Sequence, residues 1–163
     1  MTDTATDRVA DALPNSWVYR FLPKAAWPYA QLARWDRPIG WWLLLWPCWW
    51  SLALAIDVLF MNPNARDYWT FYTPPLVGAV AAFLAGAVAM RGAGCTYNDV
   101  VDVDIDEKVA RTASRPIPSG RVTRFQAVTF MVAQLAAGAL ALLYLCTMKG
   151  GFSWFVFTVA MTS

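Results

Sequence analysis

The residues best suited to chemistry are four aspartates within eight positions, directly after a long apolar stretch. The helical repeat of about 100° per residue places one amide and three acids on one face, namely Asn98, Asp99, Asp102 and Asp106. Asp104 points elsewhere. Clustered carboxylates repel one another unless a cation binds them, and oxygen ligands suit a hard cation such as Mg²⁺, which shares its other positions with water and substrate phosphate. The stripe therefore predicts a diphosphate substrate held through a metal ion.

The acidic stripe has two other interpretations. Asp102-x-Asp104-x-Asp106 resembles the start of a calcium loop, but such a loop requires Gly at position six and Glu at position twelve. Glu107 and Ala113 occupy those positions, which excludes the calcium loop. A solvated acidic loop is the second interpretation, and the shared helical face and the apolar flank argue against it.

A basic segment begins two positions after the last aspartate. It carries Lys108, Arg111 and Arg115, and the following prolines and Gly120 predict a rigid turn. Arg recognises phosphate through a fixed fork of donors, whereas Lys acts as a point charge. A carboxylate–metal site followed by basic residues suits a diphosphate leaving group. Alternatively, these residues only reflect the excess of positive charge in cytoplasmic loops.

Three further arginines border apolar segments. Arg91 precedes Asn98 by seven positions, on the same helical face, and lies within or at the end of an apolar helix. Because an intramembrane Arg is costly and usually functional, we predict that Arg91 pairs with the aspartates or binds an anionic co-substrate. Arg34 and Arg37 precede the first apolar run, where Arg can also serve as an ordinary interfacial anchor.

The composition indicates a membrane protein. The 163 residues are 58% hydrophobic and 15% charged, whereas a globular domain has about 25% charged residues. With no His, the chain has no imidazole for acid–base chemistry or metal binding. A net charge of +2 implies no general affinity for nucleic acid. Cys48, Cys95 and Cys146 lie in or beside apolar runs and are expected to be small buried residues.

Four apolar runs predict an all-α, polytopic transmembrane bundle, since a spanning helix needs about 20 apolar residues. Three runs are long enough to span: Ile39 to Phe60, Leu76 to about Cys95, and Phe125 to about Met148. The fourth begins at Phe152 and covers about 18 Å of helix, short of a bilayer core of about 30 Å. We therefore expect three spans, the start of a fourth, and a chain that is part of a longer protein.

The positive charges predict the orientation. They concentrate before the first span and after the second, which places the N-terminus and the acidic stretch in the cytoplasm. Residues 1–33 are expected to form a cytoplasmic segment, disordered up to about Asn15. The acids in this segment argue against a mitochondrial presequence and favour the bacterial inner membrane.

The motifs together resemble the UbiA family of intramembrane aromatic prenyltransferases. Asn98-Asp99-x-x-Asp102-x-x-x-Asp106 is similar to the first aspartate-rich motif of that family, NDxxDxxxD. More narrowly, three segments resemble the 4-hydroxybenzoate polyprenyltransferases of ubiquinone biosynthesis: Arg34-x-Asp-Arg-Pro-Ile-Gly40 with the following Leu-Leu-Leu-Trp-Pro47, Arg91-Gly-Ala-Gly-Cys-Thr-Tyr-Asn-Asp99, and Arg111-Thr-x-x-Arg-Pro-Ile-Pro-Ser-Gly120.

The resemblance implies a fold of nine transmembrane helices around a cavity that is open to the membrane. Residues 34–163 would be the N-terminal part of that domain. The family's second aspartate motif lies further along, and no residue after Glu107 is acidic. We therefore expect this segment to be inactive alone.

The resemblance also implies a Mg²⁺-dependent reaction, in which two Mg²⁺ ions bind a polyprenyl diphosphate. Ionisation releases diphosphate and yields an allylic cation, which attacks the ring carbon ortho to the hydroxyl of 4-hydroxybenzoate. The product is 3-polyprenyl-4-hydroxybenzoate. On this basis the catalytic, metal-binding residues are Asp99, Asp102 and Asp106, with Asn98 in support. The diphosphate-binding residues are Lys108, Arg111 and Arg115. The first choice for the acceptor carboxylate is Arg91, followed by Arg34 and Arg37.

The sequence leaves three alternatives open. A relative could use another acceptor, such as homogentisate or dihydroxynaphthoate. A cation-transport subunit could use the acids for a permeating ion, although the arginines beside them would oppose a cation path. A purely structural membrane module would leave the aligned carboxylates unexplained.

Overall fold

The computed structural model describes residues 9, 16–61 and 69–147, and within them the chain is helical without any strand. A 3₁₀ turn at Lys24–Ala26 interrupts the N-terminal segment. The α-helices are α1 (Trp17–Phe21), α2 (Trp27–Leu32), α3 (Ile39–Met61), α4 (Trp69–Val101), α5 (Val103–Asp106) and α6 (Arg124–Thr147). The all-α prediction is confirmed.

Two of the helices are long and apolar enough to cross a membrane: Leu76–Val101, which is part of α4, and α6. The predicted second and third spans are thereby found, and the second continues six residues beyond Cys95. Helix α3 has the predicted bounds to within one residue, and its described apolar stretch, Ile39–Leu54, is shorter than a full span. Its spanning role stays a prediction.

Pro47 lies inside α3 without ending it. A proline has no backbone N–H, so the carbonyl of Leu43, four residues earlier, loses its helical donor. Ser51 donates from its hydroxyl to the carbonyl of Pro47 at 3.0 Å, and Cys48 donates to that of Leu44 at 3.4 Å. Helix α3 therefore accommodates the proline within its length.

The chain divides into two compact units, of which the first comprises Met1–Gly40 and Ala89–Leu135. Its main core is one cluster of buried apolar residues: Leu32, Val103, Ile117, Val122 and Ala127. A second cluster joins Val18 of α1 to Trp27 and Ala30 of α2. These apolar contacts fix the N-terminal helices, α5 and the loop before α6 against one another, which positions the charged residues described below.

The second unit comprises Trp41–Val88 and Ala136–Ser163. Five tryptophans of α3 contact one another in stacked, tilted or edge-on pairs: Trp41, Trp42, Trp46, Trp49 and Trp50. Small residues of α4 allow α6 to approach closely. A side chain at Gly78 would overlap the hydroxyl of Tyr144, and one at Gly86 would lie 3.7 Å from Cβ of Ala141. The small residues of this stretch therefore allow close helix packing.

Two sequence predictions lie outside the described residues. They are the apolar run from Phe152 and the disordered character of residues 1 to about 15, of which only Val9 is described.

Candidate functional site

The aspartate motif begins in the last turn of α4 and ends in α5. Helix α4 stops at Val101, and Asp102 has φ −89° and ψ 8°, which bends the chain before α5. Helical hydrogen bonds nevertheless continue across the bend, from the Asp102 amide to the Asn98 carbonyl at 2.9 Å and from the Asp106 amide to the Asp102 carbonyl at 2.8 Å. The residues four positions apart therefore stay in helical phase.

The phase predicted for the motif is found in the side chains. Asp99 and Asp106 are buried, whereas the carboxyl of Asp104 is 80% exposed and pairs with Arg124 at 2.7 Å. Asp104 thus points away from the other acids, as expected from the helical repeat.

Arg115 connects the two buried acids. Its Nη1 donates to Oδ2 of Asp106 at 2.6 Å and to Oδ1 of Asp99 at 3.2 Å. The acidic side chains are 8% and 3% exposed and that of Arg115 is 19% exposed, so the ion pairs are largely shielded from solvent. The repulsion expected between the carboxylates is balanced here by a guanidinium.

The loop before α6 holds Arg115 in place. Thr112 donates from its hydroxyl to the carbonyl of Asp106 at 2.9 Å, and Ser119 donates to the carbonyl of Arg115 at 2.6 Å. Pro116 and Val122 are buried and joined by a backbone hydrogen bond of 3.0 Å, and Gly120 has the positive φ of 72° that the turn requires. The rigid turn predicted from these residues is present.

Arg34 contacts Asp99 from the end of α2. The amide of Trp35 donates to the carbonyl of Ala30 and that of Arg34 to Gln31, which is the hydrogen-bond pattern of a Schellman motif. Arg34 occupies the left-handed position of this motif, with φ 55°, where Gly is usual. A non-glycine residue there costs about 1–2 kcal/mol. Its Nη2 lies 3.3 Å from Oδ1 of Asp99, so the strained backbone directs a cation at the motif.

A cavity of about 320 Å³ opens beside these groups within the first unit. Its polar lining comprises four arginines, two acids and one amide: Arg34, Arg37, Arg91, Arg115, Asp99, Asp102 and Asn98. Ile39, Gly40 and Cys95 complete the lining. The cavity brings together most of the residues that the sequence analysis singled out, and positive charge predominates in it.

Three predicted site residues do not line this cavity. Asp106 is buried and paired with Arg115, while Lys108 and Arg111 are exposed on the segment that follows α5. Their predicted roles, Asp106 on metal and the two cations on diphosphate, stay predictions.

The oxygen donors at the cavity suit Mg²⁺ in type, namely the carboxylates of Asp99 and Asp102 and the amide of Asn98. Oδ2 of Asp99 is buried and accepts no hydrogen bond, so a cation beside it would satisfy an otherwise costly buried oxygen. Among the described residues, no group of three or more His, Cys, Asp or Glu converges as a metal site. The arrangement therefore fits a metal held by one or two carboxylates, with the remaining positions left to phosphate and water.

One buried polar cluster was not predicted from the sequence. The hydroxyl of Thr96 donates to the carbonyl of Gly92 at 2.8 Å, and Nε2 of Gln134 lies 3.4 Å from that hydroxyl. These side chains are buried on facing helices, α4 and α6, and a Cβ at Gly92 would overlap Oε1 of Gln134. The only sequence signal was the polar character of Gln134 inside an apolar span.

The sequence profile of the UbiA prenyltransferase family matches residues 44–162. The chain belongs to the UbiA prenyltransferase family. The resemblance inferred from the aspartate motif and the arginine segments is thereby confirmed, and the UbiA chain places that motif beside the cavity described above.

Several curated proteins are similar to this UbiA chain. A mitochondrial 4-hydroxybenzoate polyprenyltransferase of Arabidopsis thaliana is 47% identical over 130 residues, which are 80% of the chain and 29% of that protein. A mitochondrial protein of the same name from Rattus norvegicus is 44% identical over 82% of the chain and 32% of its own length. A 4-hydroxybenzoate geranyltransferase of Lithospermum erythrorhizon is 45% identical over 79% of the chain and 37% of its own length.

The chain thus spans about a third of the length of the relatives it matches. No solved structure matches it.

Proposed function

We propose that the protein to which this chain belongs transfers a polyprenyl group from polyprenyl diphosphate to 4-hydroxybenzoate, on the ring carbon ortho to the hydroxyl, in ubiquinone biosynthesis. The observation that carries the proposal is the cavity lined by carboxylate and amide oxygens and by four arginines. Both substrates are anions, one a diphosphate and one a carboxylate. The names of the similar proteins support the same acceptor.

The diphosphate would occupy the part of the cavity beside Asp99, Asp102 and Asn98, which would hold Mg²⁺. When bound, Mg²⁺ would neutralise the charge that develops on the departing diphosphate. Arg115 would add a second positive group at the same place. Its contacts to both acids use Nη1 alone, and a guanidinium carries five N–H donors, so the same side chain can also contact phosphate oxygens.

The acceptor carboxylate is assigned to Arg91. Arg34 is bound to Asp99, and Arg37 lies 3.6 Å from Asp36, so both of these arginines face a carboxylate of the protein. Arg91 lines the same cavity about two helical turns from Asn98. This separation would place the aromatic ring between its carboxylate site and the diphosphate site, as prenyl transfer requires.

The membrane would shield the reaction from water and supply the apolar donor. The two spanning helices support a multi-pass membrane protein, and the distribution of positive charge supports a cytoplasmic N-terminus and site. The bacterial inner membrane stays a prediction from the sequence, and the similar proteins of Arabidopsis thaliana and Rattus norvegicus are mitochondrial by name. A reporter enzyme that works only in the cytoplasm should be active when it is fused after Gly120. Activity of a reporter that works only on the other side of the membrane would reverse the orientation.

A prenyl-transfer assay tests the function. Membranes with the complete protein and membranes with this 163-residue segment receive 4-hydroxybenzoate, a polyprenyl diphosphate and Mg²⁺, with EDTA as the control. We expect metal-dependent product from the complete protein and none from the segment. Product only with homogentisate or dihydroxynaphthoate would change the acceptor. Absence of product with every aromatic acceptor, together with ion flux in liposomes, would favour a cation-transport subunit.

A further inference from the structure

We propose that Gly40 positions the guanidinium of Arg91 at the cavity and thereby selects acceptors that carry a carboxylate. This inference rests on the proposed function and assigns a specificity-determining role to a residue with no functional side chain. Its basis is the contact between the first turn of α3 and a charged side chain of α4.

The space above Gly40 is filled by Arg91. A Cβ on Gly40 would overlap Nε of Arg91, and it would lie 3.0 Å from Cζ and 3.1 Å from Nη2. Three atoms of one guanidinium therefore lie directly against the backbone of Gly40. Any larger residue at position 40 must displace the guanidinium, whereas glycine leaves room for it.

The contact also has an electrostatic consequence. Gly40 is the second residue of α3, where exposed amide groups give a helix partial positive charge. A guanidinium beside this turn adds a full positive charge to that of the helix start, so the two together attract an anion. Ile39, Gly40 and Arg91 line the same cavity, so an anion in it can contact the guanidinium beside the start of the helix.

A purely structural role for Gly40 makes a different prediction. If Gly40 only allowed helices to pack, its substitution would reduce stability and affect all substrates alike. Gly94 provides a matched control, because it lies on α4 three residues from Arg91 and a Cβ there would meet nothing within 4 Å.

The experiment compares Gly40→Ala, Gly94→Ala, Arg91→Ala and the Gly40→Ala/Arg91→Ala double variant of the complete protein in membranes. The acceptors are 4-hydroxybenzoate and 4-hydroxybenzamide, which has a similar shape but no charge. We expect Gly40→Ala to raise the KM for 4-hydroxybenzoate about tenfold, the effect of losing one charge-assisted hydrogen bond. The KM for the prenyl donor and the turnover of 4-hydroxybenzamide should stay within about twofold.

The double variant decides whether Gly40 acts through Arg91. Without the Arg91 side chain, a Cβ introduced at position 40 has room, so the double variant should have the same KM as Arg91→Ala alone. If Gly40→Ala impairs folding, the double variant should restore the amount of protein in the membrane for the same reason. Additive effects, or an equal effect of Gly94→Ala, would overturn the inference.

Failure of this inference is distinguishable from failure of the proposed function. If the unsubstituted protein makes the product but Arg91→Ala leaves the KM for 4-hydroxybenzoate unchanged, only the role of Arg91 and Gly40 is wrong. If the unsubstituted protein makes no product with 4-hydroxybenzoate, the proposed function itself is wrong.

Discussion

Nη1 of Arg115 lies 2.6 Å from Oδ2 of Asp106, although the sequence predicts roles for these residues in different parts of the reaction. Arg115 was predicted to bind diphosphate and Asp106 to bind metal. The structure joins them, and the same Nη1 also contacts Asp99. The basic segment thus neutralises the aspartate motif directly, in addition to any contact that it makes with substrate.

This relationship predicts that Arg115 contributes strongly to stability. Arg115→Met would leave two buried carboxylates with fewer partners, and removal of one member of a buried ion pair costs about 3–5 kcal/mol. Arg124→Ala is the control, because the exposed Arg124–Asp104 pair should contribute less than about 1 kcal/mol. Thermal unfolding of the complete protein in detergent measures both. Equal shifts of Tm for the two variants would contradict the prediction.

The half-buried Asp102 should matter for catalysis more than for stability. It lines the cavity and its side chain makes no capping hydrogen bond to α5, so Asp102→Ala should preserve the fold. We expect prenyl transfer to fall at least about 100-fold, the usual effect of losing one group that stabilises transition-state charge. Asp104→Ala, two residues away and outside the cavity, should retain activity. Normal turnover by Asp102→Ala would remove it from the metal site.

Arg91 should affect one substrate selectively. Arg91→Ala should raise the KM for 4-hydroxybenzoate more than the KM for the prenyl donor, because its guanidinium is assigned to the acceptor carboxylate. Steady-state kinetics with each substrate varied in turn measures the two effects. The reverse pattern would assign Arg91 to the diphosphate instead.

Gly92 lies where α4 contacts α6, and we expect no larger residue to be tolerated there. A Cβ at Gly92 would overlap Oε1 of Gln134 and lie 3.1 Å from Cβ of Ala33. The Cβ of an alanine cannot withdraw by rotating a side-chain bond. Gly92→Ala should therefore destabilise the protein by about 1–3 kcal/mol, as expected for an overpacked interior. Gly94→Ala, on the same helix with open space around it, should change the Tm little. A neutral Gly92→Ala would show that the helices separate easily.

Much of the local structure follows from the sequence. Long apolar runs must form helices in a membrane because only a helix satisfies its own backbone hydrogen bonds there. Helix α6 has nearly the predicted bounds, and α4 contains the predicted span and extends beyond it at both ends. The helical period of about 3.6 residues also determined that Asp104 points away from Asp99 and Asp106. These features depend on neighbours along the chain.

The tertiary structure decided which charges meet. Arg115 is 16 residues from Asp99 and Arg34 is 65 residues from it, and neither separation implies contact. The contact of Gly40 with Arg91 likewise depends on how α3 and α4 lie together near the start of α3. Side-chain periodicity describes one helix at a time, whereas ion pairs depend on the path of the chain between helices. The acidic face was therefore predictable, but the arginines that balance its charge were not.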